Sequence, residues 1–283
     1  MIGIPIIDGK KLAADVKNEL KMEVKKLKDR GINPTLSIVM VGDDPSSKVY
    51  VRNKLRACEE IGINSILYEK SETIGEKELI DFVESLNEDE NIHGIIVQLP
   101  LPKHIDEISI CETISPKKDV DCLNPINIGK LFLGKYSIVP ATPKGIVKLI
   151  ESTGIDIEGK HAVVIGRSKI VGKPVSMLLQ QKNATVTMCH SKTENLDEIT
   201  RQADILVVAV GSPRMIKRGM VKRGSVVIDV GITVVDGKNV GDVDFDEVKD
   251  VVSYITPVPG GVGPMTIAMV LENTLILAKE MEG

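Results

Sequence analysis

Short apolar runs alternate along the chain with longer stretches whose apolar residues recur at helical spacing. Residues 36–41 form one such run, and residues 10–30 carry Leu12, Val16 and Leu20 on one helical face. Because strands that alternate with helices build βαβ units, this pattern predicts parallel sheets covered by helices. A length of 283 residues corresponds to about two domains. The sequence therefore predicts an α/β protein with two three-layer α/β domains and a cleft between them.

The same pattern gives the approximate limits of each element. Thr142 and Pro143 are typical of a helix start, with threonine as N-cap and proline at the first helical position. Residues 119–136 contain proline and glycine and are predicted to form a long loop with some local structure. The predicted strands are residues 36–41, 63–68, 93–97, 161–166, 184–189, 205–210, 225–230 and 254–256. The predicted helices are residues 10–30, 46 or 47 to 61, 76–86, 142–152, 172–181, 196–201 and 265–281.

Composition argues against several classes of function. The 40 acidic and 36 basic residues give a net charge of −4, which is not typical of a general nucleic-acid binder. No apolar stretch approaches the roughly 20 residues of a membrane-spanning helix, and no secretory leader is recognisable. The four cysteines lack CxxC spacing, and the four histidines lack metal-binding spacing. We therefore expect a cytoplasmic protein with reduced, buried thiols and no metal site.

Lys54 is the candidate acid/base residue. It follows Tyr50 by four positions in a predicted helix, and residues four apart share one helical face. A phenol and an amine on one face can relay a proton to or from a bound substrate. A lysine on an amphipathic helix is nevertheless usually a solvated surface residue. The spacing alone therefore leaves both interpretations open.

A strand–turn–helix in the second half of the chain is the candidate nucleotide site. Gly166 and Gly172 enclose the turn, where glycines let backbone amides approach a diphosphate and the helix N-terminus favours anions. The spacing is not that of the GxGxxG fingerprint, so an ordinary turn explains these two glycines equally well. Gly211 and Gly231 follow the third and fourth strands of this block, and glycines at several strand ends are typical of a ligand crevice.

The end of the second strand in this block predicts the cofactor. NAD-binding folds usually place an acidic residue there for the ribose 2′-hydroxyl group, but residues 189–192 read CHSK. Arg167 can hold a phosphate through its fork of donors, and Ser191 adds a hydroxyl group. The sequence therefore favours NADP over NAD and predicts that the C-terminal domain is a Rossmann-type NAD(P)-binding fold.

Eight segments occur in the order typical of one enzyme family. From end to end, the chain resembles the methylenetetrahydrofolate dehydrogenase/methenyltetrahydrofolate cyclohydrolase family. The run VQLPLP and the proline–glycine loop near the C-terminus are the most specific segments. The eight are residues 8–10 (DGK), 50–54 (YVRNK), 94–102 (GIIVQLPLP), 118–121 (KDVD), 142–145 (TPKG), 166–172 (GRSKIVG), 189–193 (CHSKT) and 256–266 (TPVPGGVGPMT).

The resemblance implies a bifunctional enzyme of one-carbon metabolism. NADP+ would take a hydride from 5,10-methylenetetrahydrofolate, and water would then open the methenyl product to 10-formyltetrahydrofolate. In the implied catalytic set, Lys54 is the acid/base residue and Gln98 is hydrogen-bonded to it. Tyr50 orients the folate, and Asp121 holds the amino edge of the pterin. The other implied substrate-binding positions are Ser47, Leu99, Pro100, Pro259, Gly260 and Gly261, and the implied cofactor-binding positions are Thr142, Gly166, Arg167, Ser168, Ser191, Gly211, Ile232 and Thr266.

The resemblance also implies an organisation of the chain. Residues 1–142, completed by a C-terminal helix at 265–283, would form a folate-binding catalytic domain, and residues 143–264 an NADP-binding domain. A homodimer would form through the NADP-binding domain. Two alternatives remain open: a dehydrogenase without the second activity, and a catalytically silent dinucleotide-binding module.

Cys122 departs from the family pattern, which usually has glycine at this position. Glycine adopts a left-handed backbone conformation at little cost, whereas cysteine does not. If residue 122 is left-handed, a shift of the loop would weaken the assignment of Asp121.

Overall fold

The computed structural model describes residues 6–281, and the chain divides into two compact units. Of the described residues, unit A comprises Asp15–Ala141 and residues 267–281, and unit B comprises residues 6–14 and Thr142–Thr266. Each unit has its own parallel sheet. The outermost limits of the predicted domains, at residues 1–5 and 282–283, lie outside the described residues.

Helices and strands alternate along the chain, and every predicted strand and helix is present. The helices are α1 (Gly9–Asp29), α2 (Pro45–Ile61), α3 (Glu76–Glu88), α4 (Glu107–Thr113), α5 (Pro125–Phe132), α6 (Ala141–Glu151), α7 (Gly172–Gln181), α8 (Leu196–Thr200), α9 (Phe245–Val248) and α10 (Val262–Met281). The strands are β1 (Thr35–Val41), β2 (Asn64–Lys70), β3 (Gly94–Val97), β4 (His161–Ile165), β5 (Thr185–Cys189), β6 (Ile205–Val208), β7 (Val226–Asp229), β8 (Thr233–Val235), β9 (Lys238–Val240) and β10 (Tyr254–Ile255).

Unit A is built on a three-stranded sheet with the order β2-β1-β3. The central strand β1 is buried along its whole length, which explains its uninterrupted apolar run. Leu79 and Val83 of α3 and Ile110 of α4 pack against Val39 and Ile95 of the sheet. β3 ends one residue before Gln98, so this side chain follows the carboxyl end of a buried strand.

Unit B is built on a five-stranded sheet with the order β10-β7-β6-β4-β5. In this sheet, β4 is the first strand along the chain. β5 lies on one side of it, and β6, β7 and β10 follow on the other side. The strand order therefore reverses between β4 and β6. In doubly wound sheets, ligands bind beyond the carboxyl ends of the strands at this switch point. Gly166 and Ala209 are the residues that directly follow the two strands.

Four helix starts differ from the predicted ones, since α1 begins at Gly9 and α10 at Val262, one and three residues earlier than predicted, and α2 and α6 also differ. α2 begins at Pro45 because Asp44 is the N-cap, and Asp44 Oδ1 accepts the N–H of Ser47 at 2.7 Å. The predicted start at residue 46 or 47 is therefore too late. α6 begins at Ala141, so the prediction that Thr142 is the N-cap is wrong. Proline is tolerated in the first turn, at Pro143, because the first N–H groups of a helix have no intrahelical acceptor.

The sequence prediction lacks the short helices α4, α5 and α9 and the hairpin β8–β9. Residues 119–136 contain α5, which starts with Asn124 as N-cap followed by Pro125. Asp106 caps α4 in the same way. The capping signals are present, but helices of seven and eight residues contain too few apolar positions for a clear periodicity.

Among the described helices, α10 alone is long and apolar enough to cross a membrane by length and composition. With a mean hydropathy of 1.2, it contradicts the prediction that no apolar stretch approaches this length. Within that window, 61% is buried inside the protein, and Leu271 and Leu275 are core residues. Core helices commonly have this composition.

Candidate functional site

Lys54 lies on the buried face of α2, with 8% of its surface exposed. Its Nζ donates a hydrogen bond of 3.2 Å to Gln98 Oε1, across 44 positions of sequence. Arg52 and Asn53, the residues directly before it, are exposed. The structure therefore rules out the interpretation of Lys54 as an ordinary solvated helix residue.

Gln98 is fixed by its own neighbours. Its backbone N–H donates to Val39 O at 2.8 Å, which extends the pairing of β3 with β1 by one residue. Its side-chain Nε2 donates to Leu99 O at 2.7 Å. Because the NH2 group is the donor there, the amide must present Oε1 to Lys54. The predicted contact between Gln98 and Lys54 is present, and the geometry aims the amine at one defined acceptor.

Four of the other predicted folate-binding positions lie close in sequence to Lys54 or to Gln98. Tyr50 is 42% exposed, whereas Ser47 is buried in the first turn of α2. In the described part of the chain, the hydrogen bond of Lys54 runs to Gln98 rather than to the Tyr50 phenol. Leu99 is half-buried and Pro100 is exposed, and the peptide bond between them is cis.

Asp121 follows a second aspartate, Asp119, whose buried hydrogen bonds the sequence does not predict. Asp119 is 1% exposed and accepts hydrogen bonds from the backbone of Leu123 and Asn124 and from Asn127 Nδ2. Burial raises the pKa of the Asp119 carboxyl group, although these bonds oppose the shift. Asp119 is therefore structural, and Asp121, which is half-buried, is the accessible carboxylate of the segment. No pattern within residues 118–121 distinguishes the two aspartates.

Cys122, which replaces the glycine usual in the family, adopts a left-handed backbone conformation with φ of 56°. Its side chain is fully buried, and its Sγ lies 3.7 Å from Ile138 O. Asn273 of α10 also donates to Val120 O at 2.9 Å and to Val139 O at 2.8 Å. The backbone next to Asp121 is thus anchored despite the unfavourable conformation. The four cysteines are buried free thiols, as predicted.

In unit B, the turn after β4 is as tight as its glycines suggest. Gly166 has φ of 122°, and a Cβ atom there would lie 2.3 Å from Ala209 O. A Cβ atom on Gly172 would lie 2.1 Å from Gly166 O. Both positions therefore require glycine. The contact with Ala209 brings the ends of β4 and β6 together at the switch point.

Ser168 has a local role in this turn. Its Oγ accepts the N–H groups of Val171 at 3.1 Å and Gly172 at 3.3 Å, at the start of α7. These donors are therefore already occupied by the chain itself. Arg167 and Lys169, on either side of Ser168, are exposed.

Arg167 and Ser191 follow neighbouring strands in register. Ile165 of β4 pairs with Cys189 of β5, so each predicted phosphate-binding residue lies two positions beyond a paired residue. Both side chains are exposed. This strand end carries a guanidinium and a hydroxyl group, and residues 189–192 contain no acidic residue, which fits a 2′-phosphate better than a free 2′-hydroxyl group.

The remaining predicted cofactor positions also belong to unit B. Gly211 has φ of 69° in the loop after β6, and Ile232 is 44% exposed after β7. The hydroxyl groups of Thr142 and Thr266 lie 3.0 Å apart. Pro259, Gly260 and Gly261, predicted to bind the folate, lie in unit B as well, whereas Lys54, Gln98 and Asp121 lie in unit A.

The described residues offer little for other ligands at the predicted site. Residues 6–281 contain no group of three or more His, Cys, Asp or Glu side chains placed to hold a metal ion. A cavity of about 590 Å³ borders Lys28, Arg52 and Arg56, and the predicted site residues do not line it.

Asp229, the last residue of β7, is a titratable carboxyl group in the core of unit B. It is 3% exposed and accepts the N–H groups of Gly231, Asp242 and Val243. Burial raises the pKa of this carboxyl group to about 7, the three bonds oppose the shift, and the nearby charge of Asp242 adds to it.

We expect the stabilising contribution of Asp229 to the free energy of unfolding to decrease as the pH rises. Between its ordinary pKa of 3.8 and about 7, the folded chain keeps a proton that the unfolded chain has lost. The contribution is greatest below pH 3.8 and is lost by about pH 7, with a limiting slope of about 1.4 kcal/mol per pH unit. Denaturant titrations of the native protein and Asp229→Asn across this range measure it. A difference between the two proteins that does not vary with pH would contradict the raised pKa.

Sequence models of one family match both halves of the chain. Residues 7–121 match the catalytic domain of tetrahydrofolate dehydrogenase/cyclohydrolase, and residues 140–282 match its NAD(P)-binding domain. The bifunctional protein FolD of Brevibacillus brevis is 58% identical over 276 residues, covering 97% of each chain. That of Halalkalibacterium halodurans is 56% identical over 275 residues, covering 97% of this chain and 99% of the relative.

Solved structures agree with the sequence comparison. The bifunctional FolD enzyme of Campylobacter jejuni superposes with a TM-score of 0.96 at 51% identity, covering 97% of this chain and 98% of that one. The Trypanosoma brucei dehydrogenase-cyclohydrolase, solved with NADP cofactor and an inhibitor, gives a TM-score of 0.93 at 41% identity and covers 97% of both chains. The predictions of two α/β domains with a C-terminal NAD(P)-binding fold, of a bifunctional dehydrogenase and cyclohydrolase, and of NADP as cofactor are confirmed. The chain belongs to the tetrahydrofolate dehydrogenase/cyclohydrolase family.

Proposed function

We propose that Lys54 carries the hydrolytic half of an enzyme that oxidises 5,10-methylenetetrahydrofolate with NADP+ and opens the methenyl product to 10-formyltetrahydrofolate. The observation that supports this most strongly is the buried amine of Lys54, held at 3.2 Å from an amide oxygen that is oriented by the hydrogen bond from Gln98 Nε2 to Leu99 O. An amine held in this way can exchange a proton with a bound substrate along one direction.

In the hydrolytic step, water adds to the methenyl carbon and gives a proton to the Lys54 amine. The resulting ammonium returns the proton to the ring nitrogen, the carbon–nitrogen bond breaks, and the new hydroxyl group loses its proton to solvent as the formyl group forms. Gln98 orients the amine, and Asp121 accepts hydrogen bonds from the amino edge of the pterin. Tyr50, Ser47, Leu99, Pro100 and residues 259–261 complete the folate-binding positions.

When bound, NADP supplies the hydride acceptor for the oxidation, and this step needs no acid or base from the chain. The residues of unit B bind and orient. Gly166 and Gly211 let the backbone approach the dinucleotide, and Arg167 and Ser191 bind the 2′-phosphate. Ser168, Ile232, Thr142 and Thr266 are the other cofactor-binding positions. The supporting observation is the shared register of Arg167 and Ser191 at the ends of β4 and β5.

An assay of both steps tests this function. With methylenetetrahydrofolate and NADP+, we expect absorbance to rise at the NADPH wavelength and 10-formyltetrahydrofolate to accumulate. Formation of NADPH with accumulation of the methenyl compound alone would instead support a monofunctional dehydrogenase. Tight dinucleotide binding by a folded sample without NADPH formation would indicate a silent module.

The functional domains follow from these assignments. Residues 1–142 with 265–283 form the folate-binding catalytic domain and residues 143–264 the NADP-binding domain, except that Thr142 and Thr266 at the boundaries serve the cofactor and residues 259–261 serve the folate. We assign the enzyme to the cytoplasm, with a product available to purine biosynthesis, and to a homodimer formed through the NADP-binding domain. Light scattering should give twice the chain mass of 30.8 kDa. A mass of one chain at micromolar concentration would contradict the dimer.

A further inference from the structure

A buried carboxylate lies at the switch point of unit B. Asp242 is fully buried, and its Oδ2 accepts the N–H groups of Val210 at 2.7 Å and of Gly211 at 3.0 Å. These two amides belong to the loop that follows β6. Two successive N–H groups next to a left-handed glycine form a small anion-binding concavity, and Asp242 fills it from within the protein.

Two glycines make this approach possible. A Cβ atom on Gly231 would lie 2.2 Å from Asp242 Oδ1, and a Cβ atom on Gly241 would lie 1.9 Å from Asp229 Oδ2. Any side chain at either position would push the neighbouring carboxylate away. The loop after β7 and the segment 241–243 are therefore shaped around the two carboxylates.

Asp229 holds the segment that carries Asp242. Its Oδ1 accepts the N–H of Asp242 and its Oδ2 that of Val243, each at 2.9 Å. On the other side of the segment, Ile216 N–H donates to Asp242 O at 3.0 Å. The hydrogen bonds thus run from the end of β7, through residues 242–243, to residues 210–211 beyond β6.

This arrangement is costly if it serves stability alone. A buried carboxylate without a cationic partner loses its hydration, and an apolar residue would avoid that loss. Asp242 Oδ1 has no hydrogen-bond partner within the described residues and is shielded from solvent. The Asp242 carboxylate nevertheless lies where it fixes two backbone amides, beyond the carboxyl end of β6 at the predicted cofactor site.

We propose that Asp242 is a positioning residue for the dinucleotide, because it sets the backbone of Val210 and Gly211 at the switch point between β4 and β6. The proposal rests on the proposed function, which assigns Gly211 and Ile232 to the cofactor. It assigns no contact between Asp242 and the cofactor. Loss of the charge loosens the loop and weakens dinucleotide binding, whereas hydrolysis of the methenyl substrate, which uses no dinucleotide, is unaffected.

The test compares Asp242→Asn with Asp246→Asn, which makes the same chemical change at an exposed residue four positions away. NADPH affinity is measured by fluorescence titration, and methenyl hydrolysis is measured on the same samples. We expect Asp242→Asn to bind NADPH roughly tenfold more weakly, since it exchanges charge-assisted hydrogen bonds for neutral ones. The hydrolysis rate should stay within about twofold, and Asp246→Asn should match the native protein in both measurements.

Gly231→Ala provides an independent variant, because its Cβ atom displaces the Asp242 carboxylate without removing the charge. It should weaken NADPH binding to a similar extent. Native affinity in Asp242→Asn, or a parallel loss of NADPH binding and hydrolysis in both variants, would overturn the proposal. Failure of the proposed function is distinguishable, because the native protein would then bind NADPH without turnover and the affinity comparison would still be made.

Discussion

Lys54→Met is expected to lose methenyl hydrolysis by roughly a thousandfold in kcat/KM, the scale of a positioned acid/base group. Methionine is an unbranched apolar side chain close in length to the apolar stem of lysine, but it cannot accept or donate the proton. It also leaves Gln98 Oε1 without its donor, so a small loss of stability accompanies the loss of activity. Formation of NADPH from methylenetetrahydrofolate should fall far less, because hydride transfer needs no side-chain acid.

Lys48→Met is the matched control for this variant. Lys48 lies in the same helix α2, is 41% exposed, and pairs with Asp43 at the surface. It should keep native rates for both steps, since an exposed ion pair contributes little to stability. Single-wavelength kinetics with the purified methenyl compound measure the hydrolytic step directly. A hydrolysis rate in Lys54→Met within tenfold of the native rate would remove Lys54 from the mechanism.

Arg167→Ala is expected to raise KM for NADP+ by roughly thirtyfold while leaving KM for NAD+ nearly unchanged. The guanidinium is exposed at the end of β4, and a hydrogen bond to a charged group is worth about 1.5–3 kcal/mol. Only the 2′-phosphate distinguishes the two dinucleotides, so the change should appear in their ratio. Ser191→Ala should shift the ratio in the same direction by a smaller factor.

Arg223→Ala controls for a general loss of positive charge on unit B. Arg223 is exposed and precedes β7, so it lies at the amino end of the sheet rather than the carboxyl end. Steady-state kinetics with both dinucleotides should give the native ratio for this variant. Equal losses with NADP+ and NAD+ in Arg167→Ala would contradict the assignment of Arg167 to the 2′-phosphate.

The sequence predicts the fully buried strands of both sheets because such parallel strands are mainly apolar runs, as in β1, whereas the partly exposed edge strands β2 and β5 contain polar residues. Helix starts are less predictable, since several neighbouring residues can serve as cap. Asp44 caps α2 in preference to the serines that follow it, and α6 starts one residue before Thr142. Local signals of this kind compete, and the packing of the helix decides between them.

The candidate site required more than spacing. Helical periodicity pairs Tyr50 with Lys54, but the hydrogen bond of Lys54 runs to Gln98, a contact that only the family resemblance implies. The pairing depends on β3 ending just before Gln98, and no local pattern contains that information. The same holds for Asp242, which reaches the loop after β6 from more than thirty positions away. The left-handed conformation of Cys122 is likewise visible only in the structure.

Product analysis with Lys54→Met tests the central claim most directly. The variant is incubated with methylenetetrahydrofolate and NADP+, and NADPH, the methenyl compound and 10-formyltetrahydrofolate are measured in the same sample. If Lys54 serves hydrolysis, the methenyl compound accumulates in step with NADPH and little formyl product appears beyond spontaneous hydrolysis. Formyl product that keeps pace with NADPH, as in the native enzyme, would contradict the account.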